Sequence, residues 1–385
     1  MVGTPTWQQT PLRTALVLAL GSCTAVSGID DKVFDLPPGT GTGGDAGGGG
    51  QGGTGGVVVP ACTAEELDVT PRGIYVGDGV GSLSWVAAQP GTFAMVAELP
   101  DNDPKRIIGV LGSDGTTYGE DSYNVWGGAF EAHVVSGHGL YAHVVPYHDG
   151  GHLQLRFRDA AGLGASAATI NTGDNPAQAA AAAIDAGFLV THADGDGNFY
   201  YSLVSGPDWT AGPVTPFSPA TTCNSERSWA VAGEGNTAAV AWQSTCTATQ
   251  WQLALYSSEN GMTMAPPLTN TNGAPRFGGP LDSGFVVANC QHLFHVGQDG
   301  EVLDSALLFD TNCAIGTDGT SLRMIDVVGS SLRWRALSTD GTPTDVLSFP
   351  ASPEGAPLIA WDGGGYAIIW REAGEIMYAH VCVPA

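Results

Sequence analysis

Five of the nine histidines fall in one stretch, at His133, His138, His143, His148 and His152. Imidazole binds transition metals and titrates near neutral pH, so spacing decides what such a cluster could do. If the Gly137-His138-Gly139 turn centres on His138, His133 and His143 face each other across one hairpin, and two neutral imidazoles there could share a metal. A competing reading is that Tyr141-Ala-His-Val144 recurs as Tyr378-Ala-His-Val381, which makes His143 a position in a strand template.

His148 and His152 lie in the connection after that hairpin, and the equivalent connection further on carries His192-Ala-Asp194-Gly-Asp196-Gly-Asn198. Side-chain oxygens at alternate positions 194, 196 and 198 suit Ca²⁺. No bidentate glutamate follows at EF-hand spacing, and an Asp-Gly turn accounts for the same residues. The candidate metal ligands are therefore His148, His152, His192, Asp194, Asp196 and Asn198, with Ca²⁺ the one cofactor suggested and none required. For nucleophilic chemistry there is no Gly-x-Ser-x-Gly elbow, and the sequence carries no Gly-rich phosphate loop or sialidase-type Asp box.

The elements that must position these residues begin with an export segment. Arg13 is the only charge in the first 29 residues, and it precedes Thr14 to Ser22, an apolar run too short to span a bilayer. The run ends in Leu20-Gly21-Ser22-Cys23, which resembles the lipobox of bacterial lipoproteins and implies acylation of Cys23, with residues 1–22 as signal peptide. Thr24, rather than Asp, follows the cysteine, and the resemblance then implies outer-membrane anchoring. Residues 23–60 include PPGTGTGGDAGGGGQGGTGG at 37–56, which has almost nothing to bury and reads as a flexible tether.

Residues 61–385 form the body. The chain of 385 residues is 43% hydrophobic, enough for a core, and its 13 Lys and Arg against 38 Asp and Glu give a net charge of −25. Such a surface repels phosphate backbones, which excludes nucleic acid as a partner. Its 56 glycines penalise helix interiors. Instead a hairpin recurs, with first turns at Gly79, Gly137 to Gly139, Gly187, Gly235, Gly284, Gly319 and Gly363, spaced 35 to 58 residues apart. Between them falls a second series, including Ser113-Asp-Gly-Thr116, Glu259-Asn-Gly261, Gln298-Asp-Gly-Glu301 and Thr339-Asp-Gly-Thr342. Asn-Gly and Asp-Gly suit turns with φ > 0 at both centres. Two hairpins per unit predict an all-β fold, a single β-propeller of seven four-stranded blades, with six the alternative. The last unit is one strand short, and Leu67 to Val76 are expected to complete it.

With its lipobox-like Leu20 to Cys23, its Gly tether and segments such as Pro357-Leu-Ile-Ala-Trp-Asp-Gly-Gly-Gly-Tyr-Ala-Ile-Ile-Trp370, the chain resembles the exported, Gly-tethered β-propeller lipoproteins of large bacterial genomes such as those of myxobacteria. The resemblance implies architecture and location and leaves activity open.

Setting Cys23 aside leaves six cysteines, which in an exported protein read as three disulfides of open connectivity. The propeller arrangement selects Cys223 with Cys246 and Cys290 with Cys313, whose members lie on loops of one face, and Cys62 with Cys382 to close the ring. Glu131, Asp149, Glu226 and Glu372 lie near the expected openings, where a carboxylate pair could hydrolyse glycosides. Trp85, Trp242 and Trp370 recur at one template position and read as core. The expected function is a membrane-anchored, monomeric binding module for a protein or carbohydrate ligand. The alternative is an extracellular hydrolase whose acidic residues converge in the funnel.

Overall fold

The structure, a computed structural model, describes residues 70–382 apart from 76–81, 99–104, 113–115, 125–131, 148–150, 174–175, 195, 219–228, 244–248 and 309–311. Cys23, Cys62, Cys223, Cys246, His148, Glu131, Asp149 and Glu226 lie outside the described residues, as does the turn around Gly79.

Among the described residues all regular structure is β, in seven antiparallel sheets. The innermost strands are Ser82–Gln89, His133–Gly137, Pro176–Ile184, Trp229–Glu234, Phe277–Leu281, Cys313–Thr317 and Leu358–Trp361. Each lies beside the innermost strand of the next sheet, and together they surround a central channel. This is a seven-bladed β-propeller. Blade 7 contains Leu358–Trp361, Gly365–Glu372 and Glu375–Cys382, and Arg72–Tyr75 pairs outside the last of these, with Arg72 opposite Tyr378. In blade 3 the outer edge is split between Thr210–Ala211 and Thr215–Ser218, both paired with Phe199–Ser205.

Register corrects three expectations. The blade 2 hairpin turns on two residues, His138 and Gly139, with φ of 54° and 72°, so its centre falls between them. His133 then pairs with Val144 and His143 with Val134. Since side chains alternate faces along a strand, the two imidazoles lie on opposite faces and cannot share a metal. The Tyr-Ala-His-Val repeat is not a template position either. His143 is on the second strand of blade 2, whereas His380 is on the third strand of blade 7, where its Nε2 lies 3.0 Å from Asp362 Oδ2. Blade 1 turns at Pro90-Gly91, where Gln89 pairs with Thr92, so Trp85 sits in an innermost strand and not on a second strand. Trp242 and Trp370 do share a template position and are buried on second strands. Counted from the turn, that same position holds His192, Asn289 and Asp326 in blades 3, 5 and 6.

Ala177 to Ala183 illustrate why tertiary fit overrides propensity. Alanine favours helices and is weak in strands, yet this run forms the innermost strand of blade 3. Neighbouring inner strands approach so closely that a Cβ on Gly233 would lie 2.2 Å from the Ala183 carbonyl oxygen, and one on Gly278 would lie 2.8 Å from that of Val231. The outer turns follow related logic. Gly261, Gly300 and Gly341 all have φ > 0, and a Cβ on each would come within 2.4 to 2.8 Å of Tyr201, Ala265 or Ala306 on the preceding blade. Glycine there answers both a backbone and a packing demand.

Candidate functional site

The inner strands enclose a cavity of about 880 Å³ whose lining comes from all seven blades. Its walls are unequal. Blades 1 and 7 contribute Leu83, Trp85, Ile359 and Trp361, and Phe277 comes from blade 5, whereas blades 3, 4 and 5 contribute Ala182, Gly233, Gly278 and Gly279. The close approach of the inner strands dictates the small side, and Trp85 and Trp361 remain half-buried on the bulky side.

Trp85 meets the His133 ring edge-on, with centroids 4.3 Å apart. His133 Nδ1 accepts the Ala181 backbone N–H at 3.3 Å, which bridges blades 2 and 3 and puts the imidazole proton on Nε2. Burial lowers the His133 pKa to about 3, so the ring is neutral at any ordinary pH.

Among the described residues two carboxylates reach the lining, Asp318 and Glu354. Partial burial pushes the Asp318 carboxyl up, but the Ser321 hydroxyl, the backbone N–H groups of Thr320 and Ser321 and the Thr320 hydroxyl outweigh it, and its pKa is lowered. Glu354 is paired with Arg371 at 2.8 Å. Glycoside hydrolysis takes a protonated carboxyl facing a second carboxylate, and the described lining residues supply no such pair. Glu372 accepts the Trp370 indole N–H at 2.8 Å.

The described metal candidates make the following contacts. His152 stacks on Tyr147, with centroids 5.0 Å apart. His192 stacks on Tyr200 at 5.2 Å, neither ring nitrogen has a partner, and burial lowers its pKa to about 4 despite Asp194 nearby. Asp194 Oδ1 accepts the backbone N–H of Asp196 and of Asn198, and its Oδ2 accepts Asn198 Nδ2 at 2.7 Å and the Tyr200 hydroxyl at 3.2 Å. Asp196 is exposed. The carboxylate that would anchor Ca²⁺ is thus saturated by N–H and O–H donors, and Asn198 turns its amide nitrogen, not its oxygen, toward it. Among the described residues no three His, Cys, Asp or Glu side chains are grouped for a metal.

Cys290 and Cys313 form a disulfide, with Cα atoms 5.6 Å apart. It ties the connection between the second and third strands of blade 5 to the start of the innermost strand of blade 6, and Cys313 lines the cavity. Cys382 is also disulfide-bonded, to a partner outside the described residues.

Sequence reasoning missed the channel roles of Trp85 and Ile359 and the Glu354–Arg371 pair. For Trp85 the signal was its position before the Pro90-Gly91 turn, which places it on a first strand.

No protein-family model and no curated protein matches the chain. Solved structures do. The WD40 repeats of RRP9 superpose with a TM-score of 0.54 at 8% identity, covering 81% of this chain and 97% of that one. U3-55K gives 0.53 at 8%, covering 80% and 98%, and the Dos1 propeller 0.51 at 9%, covering 81% and 94%. At these identities the likeness is one of fold alone, and the shared fold is the β-propeller.

Proposed function

We propose that the protein is an exported, lipid-anchored β-propeller that binds a polypeptide segment at its central channel. The carrying observation is the uneven lining of the cavity, with Trp85, Ile359 and Trp361 on blades 1 and 7 and several alanines and glycines, beside Val231 and Phe277, on blades 3 to 5. Apolar side chains fit the first wall and an extended backbone the second. A glycan site would need planar amide and carboxylate partners around its aromatic platform. Here the described lining residues offer the Arg276 guanidinium, the hydroxyls of Ser84 and Ser136 and two carboxylates already engaged. WD40-like propellers commonly serve as protein-interaction modules, which agrees with this reading. The lipobox-like Leu20 to Cys23 and the tether after it support anchoring outside the cytoplasm.

Panning the full chain against a random peptide array and a glycan array tests the binding reading. Peptide retention that falls at least tenfold in Trp85→Ala is expected from loss of a buried aromatic anchor. Retention of glycans alone would refute it. For the anchor, inhibiting the lipoprotein signal peptidase should leave a larger precursor, and an unchanged product would remove Cys23 as the lipidated residue.

A further inference from the structure

Eight arginines have described side chains. Seven have a partner there: Arg72 lies over the Tyr378 ring, Arg156, Arg158 and Arg323 donate hydrogen bonds, and Arg333, Arg335 and Arg371 pair with carboxylates. Arg276 alone has no side-chain partner among the described residues, although the chain carries 38 acidic groups. It is exposed and lines the channel cavity immediately before the innermost strand of blade 5.

The backbone that carries this unpaired cation is firmly tied. Arg276 N–H donates to the Ala288 carbonyl at 2.9 Å. Asn289 Nδ2 donates to the carbonyls of Asn272 and Ala274, at 2.8 and 3.2 Å, and the Trp251 indole donates to that of Gly273 at 2.7 Å. Asn289 is in turn fixed by the backbone N–H groups of Gln291 and His292 on its Oδ1, and the next residue, Cys290, is locked to Cys313. Asn289 therefore takes a position that tryptophan fills in blades 4 and 7 and uses it to hold the segment leading to Arg276. A guanidinium offers a planar fork suited to carboxylate, and such bonds are stronger than neutral ones.

We propose that Arg276 recognises a carboxylate of the bound peptide at the channel mouth, with Asn289 as a positioning residue. This deepens the polypeptide-binding reading and rests on it. The carboxylate belongs either to a peptide C-terminus or to an acidic side chain, and the same channel serves both.

The test uses the full chain and three N-acetylated apolar peptide libraries of matched composition: one with a free C-terminal carboxylate, one C-terminally amidated, and one amidated with a glutamate inside. One or both carboxylate libraries should be retained about tenfold or more over the neutral amide, given the strength of charge-assisted bonds. Preference for the free acid alone assigns a C-terminus, and preference for the glutamate library alone assigns a side chain. Arg276→Gln should collapse the preference, Arg276→Lys should keep part of it, and added salt should weaken it. Asn289→Ala should lower the ratio of carboxylate to amide retention while Arg276 is still present. Equal retention of all three libraries, unchanged by Arg276→Gln but lost in Trp85→Ala, overturns the proposal and leaves the channel reading standing. Retention unaffected by Trp85→Ala overturns the channel reading and the proposal with it.

Discussion

Lowering the pH from 7 to 5 should destabilise the protein well before its carboxylates protonate. His133, His143 and His192 are buried. Burial lowers their pKa values from 6.5 to about 3, 3 and 4. The groups facing them reinforce or fail to offset this. Arg158, Arg156 and His133 push His143 the same way, and Asp194 only partly opposes the shift at His192. The folded pKa lies below the unfolded one, so the stability is present above pH 6.5 and is lost as pH falls toward the folded values. At pH 5 the unfolded chain holds nearly one proton per site that the folded chain excludes, and the linkage relation gives about 2 kcal/mol lost per imidazole between pH 7 and 5. Three sites together lose on the order of 5 kcal/mol, comparable with the whole stability of many domains. Urea unfolding at pH 7, 6 and 5 measures this directly. His143→Leu, which removes an imidazole with no partner at either nitrogen, should flatten the pH slope by about a third. A urea midpoint that does not move between pH 7 and 5, or a His143→Leu slope equal to that of the parent, would refute the reasoning.

Further outcomes follow from packing. Replacing Cys290 and Cys313 by alanine closes no loop in the unfolded chain, and chain-entropy estimates put the loss at about 3 kcal/mol; an unchanged thermal midpoint would show that the bond does not restrain the joint between blades 5 and 6. Gly233→Val drives a side chain into the Ala183 carbonyl and should cost about 3 kcal/mol or more. Gly139→Ala meets nothing within 4 Å and should cost only about 1 kcal/mol for its positive φ, so equal losses in the two variants would contradict the inner-ring explanation. Millimolar Ca²⁺ should leave the unfolding midpoint in place, because donors already occupy Asp194, and a rise of several degrees would mean the turn reopens to bind it.

Turn chemistry made the blade pattern legible. Gly235, Gly319, Gly363 and the outer glycines at 261, 300 and 341 are placed where only a left-handed or uncluttered backbone fits, and composition betrays such positions. In blade 1 the turn at Pro90-Gly91 competes, in the sequence, with a denser glycine run at Gly77 to Gly81. The His133 and His143 pairing failed for a finer reason. A two-residue turn and a turn centred on one residue differ by half a step in register, which reverses which side chains share a face. Nothing in composition separates them at Gly137-His138-Gly139.

The channel was less legible because its shape depends on differences between blades, whereas repeat analysis looks for sameness. At the template position, tryptophan fills the space between blades 4 and 7 and their neighbours, while Asn289 at the same place in blade 5 makes four hydrogen bonds instead. A repeat search scores that asparagine as a degenerate copy. Physically it is a substitution of apolar filling by a directed polar brace, and a buried amide is tolerated only when its donors and acceptor are satisfied. Its partners all lie within the segment that presents Arg276 and the loop that carries Cys290. The departure from the repeat and the one arginine without a side-chain partner among the described residues thus occur in the same few residues. On the binding reading proposed above, that coincidence makes blade 5 the place where a fold built from repeats would acquire a direction for its ligand.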